Sequence, residues 1–301
     1  MDYQDVVDGM FAARPAGTPV PAAVTAGGAA RRLRDAAEPV AMHAVWNRTT
    51  NETLAALGLD FLGAYIAGRA TALGRPGGAV VAATFAWFEP AMVSGIHDAA
   101  TAVVDSETLV AVRDATTTAS LGAVLGDDDP TEVADLLADA ADSADGTGRP
   151  LFAGLRGRGR PADPVQRLWW AADLIREHRG DSHVAVANAA GLGPVAMNIL
   201  TETWLGMPLY SYTGSRGWAP GVMTAEAAAL EARGWLAEGA LTVAGRALRA
   251  ELEARTDAQE QVIVDALGDR ADEVCRRLDG WGARCIEAGA FPADELKRAA
   301  G

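Results

Sequence analysis

Cysteine is scarce in this 301-residue chain, which holds only Cys275 and Cys285. They stand ten residues apart on a stretch that reads as helix, with no C-x-x-C pair and no histidine nearby. That excludes a disulfide framework and a zinc signature, and it suits two partly buried thiols in a reduced compartment. Long apolar runs are lacking too. The longest, Gly77 to Phe88, spans 12 residues between Arg75 and Glu89, well short of the roughly 20 that a membrane helix needs. The opening Met1-Asp2-Tyr3-Gln4-Asp5 has no cationic region of the secretory kind. A soluble, cytoplasmic protein with no membrane partner is expected. Catalytic signatures are missing as well: there is no G-x-S-x-G and no P-loop. Gly154 to Gly159 follows no strand, and Gly191-Leu192-Gly193 reads as a helical turn rather than a phosphate cradle. Aromatic residues make up only 6%, against 50% hydrophobic and 22% charged. With alanine and glycine abundant, that balance favours closely packed helices and a sizeable core.

Positive charge is also in deficit. Twenty-six basic residues against 40 acidic ones leave a net charge of −14. Most of it sits between Asp98 and Asp145, where twelve acids accompany a single base, Arg113. Such a chain repels polyphosphate as a whole, since non-specific DNA affinity comes from cations meeting the backbone. A basic face elsewhere remains open.

Length and punctuation suggest two halves. Residues 1–30, rich in alanine, proline and glycine, read as a mobile arm with one short helix near Val6 to Ala13. Residues 31–125 form a first half of helices. Its first helix starts near Ala29 and is disturbed at Pro39, and Thr50-Asn51-Glu52 caps a short helix ending at Gly58. Phe61 to Ala72 is the next helix, Gly77 to Phe88 one that is buried on every side, and Pro90 and Asp105 open two more. Residues 126–164 supply an acidic helix and then a Gly/Arg/Pro loop, Gly146 to Pro164, which is the best boundary in the chain. Residues 165–257 form the second half. A helix over 165–178 ends at Gly180, Asp181 or Ser182 caps another to Ala190, Pro194 starts a third, and Thr224 caps a fourth. Two short strands follow between Trp235 and Thr242. A long helix from Ala244 to about Leu267 leads into C-terminal helices over 258–301. A weak repeat is also visible, Ala56-Leu57-Gly58-Leu59 paralleling Ala189-Ala190-Gly191-Leu192.

In the second half, short helices precede Leu230-Glu-Ala-Arg-Gly-Trp-Leu236, a Gly-containing turn, and Leu241-Thr-Val-Ala-Gly-Arg-Ala-Leu248. This order resembles the winged helix of the MarR group of helix-turn-helix proteins. The wider pattern includes Gly63-Ala-Tyr-Ile-Ala-Gly-Arg69, Phe85 to Val93, Arg167-Leu-Trp169, Arg176-Glu-His-Arg-Gly-Asp-Ser-His183, Arg216-Gly-Trp218 and Glu253-Ala-Arg-Thr-Asp257. It is similar to an actinobacterial family of helix-turn-helix domain proteins over about residues 33–257. The resemblance implies an all-α fold with small β-wings, two winged-helix-like (MarR-like) halves and C-terminal helices. In such proteins the helices equivalent to 244–267 and 271–289 make a homodimer interface.

The chemistry needed to read DNA is thin. A major-groove helix presents Arg, Lys, Asn or Gln to base edges, whereas Thr224 to Arg233 offers Glu226, Glu231 and one late arginine. The wing Ala237-Glu238-Gly239 has no cation for a minor groove. Arg158-Gly159-Arg160-Pro161 resembles an AT-hook core, though it equally suits a solvated linker. DNA is therefore a possible but disfavoured partner.

Two groups of residues could carry chemistry instead. His178, Arg179, Asp181 and His183 gather around Gly180, where helix N–H groups after a turn would favour an anion. There His178 and His183 could exchange protons while Arg179 holds an acidic group. The same four side chains could also be a cap, an ion pair and two packed rings. His178 and His183 do not share one helix face, so no metal is expected. His43, Tyr65, Arg69, Trp87, Trp169 and Trp218 could line a cavity between the halves, or be plain core. The leading expectation is a small apolar or weakly acidic molecule in that cavity, with or without cofactor-independent acid–base catalysis. A MarR-type ligand-responsive regulator, with a basic face from Arg156, Arg158, Arg160, Arg246 and Arg249, stands second. A protein-binding module using the acidic 98–145 segment stands third.

Overall fold

The computed structural model describes Asp8 and residues 27–300. The arm expected over residues 1–30, with its short helix, lies almost wholly outside them. Among the described residues the chain is helical apart from one two-stranded antiparallel ribbon. An all-α fold with a small wing is what the sequence leads one to expect. The wing is single, and it lies in the second half.

The first half comprises α1 (Ala29–Ala41), α2 (His43–Trp46), α3 (Arg48–Ala56), α4 (Phe61–Ala70), α5 (Gly78–Phe85), α6 (Pro90–Val103) and α7 (Ser106–Leu125). Asp60 and Asp105 cap α4 and α7 by accepting from the N–H groups of Gly63 and Thr108. The cap of α3 is Asn47 rather than Thr50-Asn51-Glu52, because its side chain accepts from Thr50 N–H while donating to the His43 carbonyl. Helix α1 continues two residues past Pro39. Helix α5 is shorter than Gly77 to Phe88 and is not buried all round: Val81 and Phe85 face inward while Val80 is 55% exposed.

The acidic helix α8 (Thr131–Asp142) follows, and then a correction. The stretch Gly146 to Pro164 is not simply loop. It contains α9 (Pro150–Gly157), whose Leu151, Phe152 and Leu155 are buried in the main core. The second half holds α10 (Pro164–Ala189), α11 (Pro194–Trp204), α12 (Ser211–Gly214), α13 (Pro220–Ala232), the ribbon β1 (Leu236–Ala237) with β2 (Ala240–Leu241), and α14 (Val243–Leu267). Helices α15 (Ala271–Glu287) and α16 (Glu295–Ala300) close the chain. Pairing of Ala237 with Ala240 leaves a two-residue turn, Glu238-Gly239, with positive φ at both positions, as a hairpin turn of this length prefers.

The main departure is α10. The sequence places a reversal at Gly180, yet the helix runs unbroken for 26 residues through it. Its flanks explain why. Asp181 does not cap a new helix; its carboxylate accepts from the N–H groups of Leu151 and Phe152 and so caps α9. Ser182 accepts from Arg149 Nε. Packing of α10 against α1, α8, α9 and α14 outweighs the ~1 kcal/mol that an interior glycine costs.

The apolar interior divides along α10. Its N-terminal part, with Leu168, Trp169 and Leu174, joins α1, α4, α5, α7, α8 and α15 in the large core. Its C-terminal end, from Val186, joins α11, α13, the ribbon and Leu252 of α14 in a second core. Helix α15 packs its buried face (Val274, Leu278, Trp281) with α1 in the large core. The apolar face of α15 thus packs within the chain, while α14, the other helix expected at a homodimer interface, keeps Val243 and Val262 exposed. Cys275 and Cys285 are buried on the same face, and burial pushes their thiols up to about 11 and about 12. No single helix among the described residues is long and apolar enough to cross a membrane.

Candidate ligand pocket between the two halves

Helix α5 ends in an unusual turn. Ala86 has φ 50 and ψ −54, and the N–H of Trp87 donates to the carbonyl of Phe85 at 2.5 Å. This is a γ-turn in a region that L-residues avoid, and it persists only where surroundings over-determine it. Here the second half does so. The Trp87 carbonyl accepts from Asn198 Nδ2 at 2.8 Å and from Trp218 Nε1 at 2.9 Å, and Glu89 N–H donates to the Arg216 carbonyl at 2.8 Å. The strained segment is stapled across the seam between the halves.

Behind that staple lies a cavity of about 90 Å³. One wall is aromatic: Tyr65 from α4, Phe85, Trp87 and Phe88 from the turn, and Tyr212 from α12. The other is cationic. Arg31 and Arg34 of α1, Arg69 of α4, Arg176 and Arg179 of α10, Arg249 of α14 and, from a connecting segment, Arg216 all reach it, against one lining carboxylate, Glu253. Arg216 itself belongs to the segment between α12 and α13.

These arginines are largely buried and are held by a charged layer. Arg69 grips Glu177 with two hydrogen bonds of 2.7 Å. Arg176 bridges Glu177 and Glu38, while Arg34 also pairs with Glu38. Arg179 reaches Glu253 at 2.8 Å and Asp257 at 2.6 Å. Arg31 pairs with Asp35 and Glu253, and Arg249 with Glu253. Burial alone would raise the carboxyl of Glu253, but Arg249 and Arg31 hold it well below the usual carboxylate range. Burial would likewise raise Glu177, and Arg69 and Arg176 bring it down. Burial lowers the pKa of Arg249.

The structure sorts the residues singled out in the sequence. Tyr65, Arg69, Trp87, Arg179 and His183 meet in this pocket. The Thr256 hydroxyl donates to the Leu252 carbonyl, so Nδ1–H of the His183 imidazole donates to Thr256 Oγ1 at 3.0 Å, and the ring lies 5.6 Å from that of Trp87. Burial, then Arg249, lowers its pKa to about 3, so it is neutral. His178 points elsewhere. It is 1% exposed, its Nδ1 is 2.5 Å from Glu260 Oε1, and its ring meets Phe152 edge-on. Both histidines face α14, not a turn, and the expected pair of proton carriers is not formed. Asp181 caps α9, as described. His43 is wholly buried against Ser120, with its pKa lowered by burial to about 4. Trp169 is core, donating to the Ala41 carbonyl. Trp218 braces Trp87 from outside the lining.

Trp169 also borders a second cavity, of about 220 Å³, with Trp170, Gln166, Asp173 and the Arg158–Pro161 segment. There Arg158 makes two hydrogen bonds to Asp114, and Arg160 bridges Asp135 and Asp139. The resemblance to an AT-hook ends at that point, since both arginines are tied to the acidic segment. Of the basic face expected from Arg156, Arg158, Arg160, Arg246 and Arg249, three members are withdrawn: Arg158 and Arg160 by their acids and Arg249 by burial. Arg156 donates to the Ala144 carbonyl, and Arg246 to that of Leu241.

Sequence reasoning missed Arg31, Arg34, Arg176, Asn198 and Glu253 as pocket residues. The Arg31–Asp35, Arg34–Glu38 and Arg249–Glu253 pairs sit four apart, a spacing that on its own reads as a solvated helix face. Their signal is visible only once α1 and α14 are known to pack together.

The comparisons bear on the scaffold. A model of the helix-turn-helix family matches residues 30–292. The chain belongs to the helix-turn-helix family. The match takes in both halves, the seam between them and α15. No curated protein and no solved structure matches the chain.

Proposed function

We propose that this helix-turn-helix family protein binds a small molecule in the seam pocket, and that occupancy there sets how its two halves are held. The observation that carries the reading is the stapled γ-turn. Strain at Ala86 is concentrated where aromatic and charged side chains of both halves surround a cavity, and such strain gathers at ligand clamps and switches. A buried charged layer supports it as well. Ion pairs taken out of water add little stability over apolar packing, so an interior built from them suits recognition better than cohesion. The ligand meets the Trp87 ring and the neutral His183 beside it; with His178 elsewhere, binding rather than proton transfer is the role assigned to the site. A cytoplasmic location belongs to the same reading.

A thermal-shift screen of small molecules against the full chain tests this. A hit is expected to raise the melting temperature and to quench tryptophan fluorescence, and to lose both effects in Tyr65→Ala. A broad panel without any such hit contradicts the reading.

A second reading, DNA binding by the α11–α13 unit and its wing, is favoured by family membership. The exposed face of α13 nevertheless presents Gly221, Val222, Thr224, Ala225, Ala228 and Glu231, with no Arg, Lys, Asn or Gln for base edges; the exposed Arg233 comes only at its C-terminal cap and lies over the Trp235 ring. Tight binding of mixed-sequence duplex that weakens steeply with salt would promote it.

A further inference from the structure

We propose that the seam pocket selects a small organic dianion: a flat, apolar body carrying a phosphate monoester or a pair of carboxylates. This deepens the pocket reading and rests on it.

Charge is the first ground. Six of the seven lining arginines are paired with Asp35, Glu38, Glu177, Glu253 and Asp257 and the seventh, Arg216, with no carboxylate among the described residues, so seven positive charges face five negative ones and two are unmatched. His183 is neutral and adds nothing to that excess. Glu253 alone is shared by Arg31, Arg179 and Arg249, and one carboxylate cannot neutralise three guanidinium groups. In a site partly shielded from water, that excess attracts an anion more strongly than exposed charges would.

The second ground is where the open donors are. Arg249 is 2% exposed and lines the cavity, yet its Nε has no hydrogen-bond acceptor. A buried donor left unmade costs about 1–3 kcal/mol, more when charged, so a partner on the cavity side would remove a standing penalty. Arg216 has no carboxylate partner among the described residues. Its guanidinium lies over ring faces only, 4.7 Å from the centroid of Phe88 and 4.2 Å from that of Tyr212. Arginine forks match phosphate and carboxylate oxygens in planar, bidentate fashion. Together, Arg216 and Arg249 offer an incoming head group what no internal acid supplies.

The third ground is the opposite wall. Tyr65, Phe85, Trp87 and Phe88 present ring surface beside these donors, the usual complement of a flat apolar body. With a water's share of volume at about 30 Å³, the cavity of about 90 Å³ holds about three waters, which limits the ligand's apolar body to a single ring.

Calorimetric titration of the full chain with phenyl phosphate, phthalate and neutral benzyl alcohol tests the proposal. Arg216→Met is the companion variant, chosen because Arg216 makes no ion pair among the described residues; its melting temperature is expected to match the parent's, which checks that the fold is kept. At least one of the two anions is expected to bind about tenfold or more tightly than benzyl alcohol, and Arg216→Met to remove most of that advantage while changing benzyl alcohol less than about twofold. Whichever anion binds more tightly identifies the head group as phosphate or carboxylate. Benzyl alcohol binding as tightly as both anions overturns the charge inference and leaves the pocket reading standing. Anion binding unchanged in Arg216→Met overturns it too, by placing the anion elsewhere. If none of the three binds, the inference falls, and the broad screen above decides separately whether the pocket reading falls with it.

Discussion

At Gly58 the chain leaves α3 with φ +96, and at Gly191 it leaves α10 with φ +68. In both places the next residue is a leucine whose N–H returns to the carbonyl five positions back, Leu59 to Leu54 at 3.1 Å and Leu192 to Ala187 at 3.0 Å. Both leucines are buried, and a helix follows after one residue, α4 or α11. The corners are built alike, as the repeat in the sequence suggests. What comes after them differs. The second continues through α13 into the ribbon and the long α14. The first has no ribbon: its α5 ends in the γ-turn at Ala86, stapled to the second half. One corner keeps a wing and an outward helix; the other contributes the clamp of a pocket. The seam between them is charged, where the cores on either side are apolar.

The largest effect is expected at the seam, which belongs to both corners. Glu253→Ala leaves Arg31, Arg179 and Arg249 without their shared carboxylate and should lower stability to urea by about 3–5 kcal/mol. The exposed Arg75–Glu107 pair is the control, where Glu107→Ala should cost less than about 1 kcal/mol. Equal losses would mean that the seam is no different from surface.

The corners themselves are compared by adding a methyl group. At Gly58 an added Cβ would meet Val103 Cγ1 at 3.2 Å, on top of its positive φ, while at Gly191 it meets nothing within 4 Å. Gly58→Ala should therefore cost about 2–3 kcal/mol and Gly191→Ala about 1 kcal/mol, read from paired unfolding curves. The reverse order would break the structural likeness claimed for the two turns.

On α10, burial and then the neighbouring Glu177 push the Asp173 carboxyl up to about 7. The folded state thus holds its proton to a higher pH than the unfolded chain, whose aspartates titrate near ~3.9. This group's contribution to stability falls as pH rises from about 4 to about 7, then levels off. Asp173→Asn should abolish that part of the slope and gain roughly 1–2 kcal/mol at pH 8 relative to the parent. A pH profile identical to the parent's would place the shift elsewhere.

The smallest effect lies at Ala86 and Glu238, two of the three non-glycine residues with positive φ among the described residues. Ala86→Gly relieves a strained γ-turn and should stabilise by about 0.5–1 kcal/mol. Glu238→Gly, in a hairpin turn that tolerates positive φ, should change stability by less than about 0.5 kcal/mol. Their difference in melting temperature isolates the strain at the clamp.

Much of the helix order, the wing and the Gly58 and Gly191 corners were legible because short-range chemistry sets them: capping aspartates, positive-φ glycines and a two-residue hairpin; α9, read as loop, was not. The reading of α10 failed for a long-range reason. Gly180, Asp181 and Ser182 look like a helix break, but Asp181 and Ser182 spend their oxygens on α9 and Arg149, a partnership that sequence spacing cannot reveal. The same holds for the pocket. Tyr65, Arg69, Trp87, Arg179 and His183 stood out because a family pattern or a local cluster marked them. Arg31, Arg34 and Glu253 did not, since a salt-bridged pair four residues apart is written the same way whether its helix faces water or another helix.

Hydrogen exchange of the full chain with and without phenyl phosphate puts the seam to the test. Protection is expected to rise together at residues 85–89 of the first half and at residues 197–201, 212–216 and 249–253 of the second, with α8 and α15 unchanged. Protection confined to one half, or absent from both, would show that the pocket does not join the two corners.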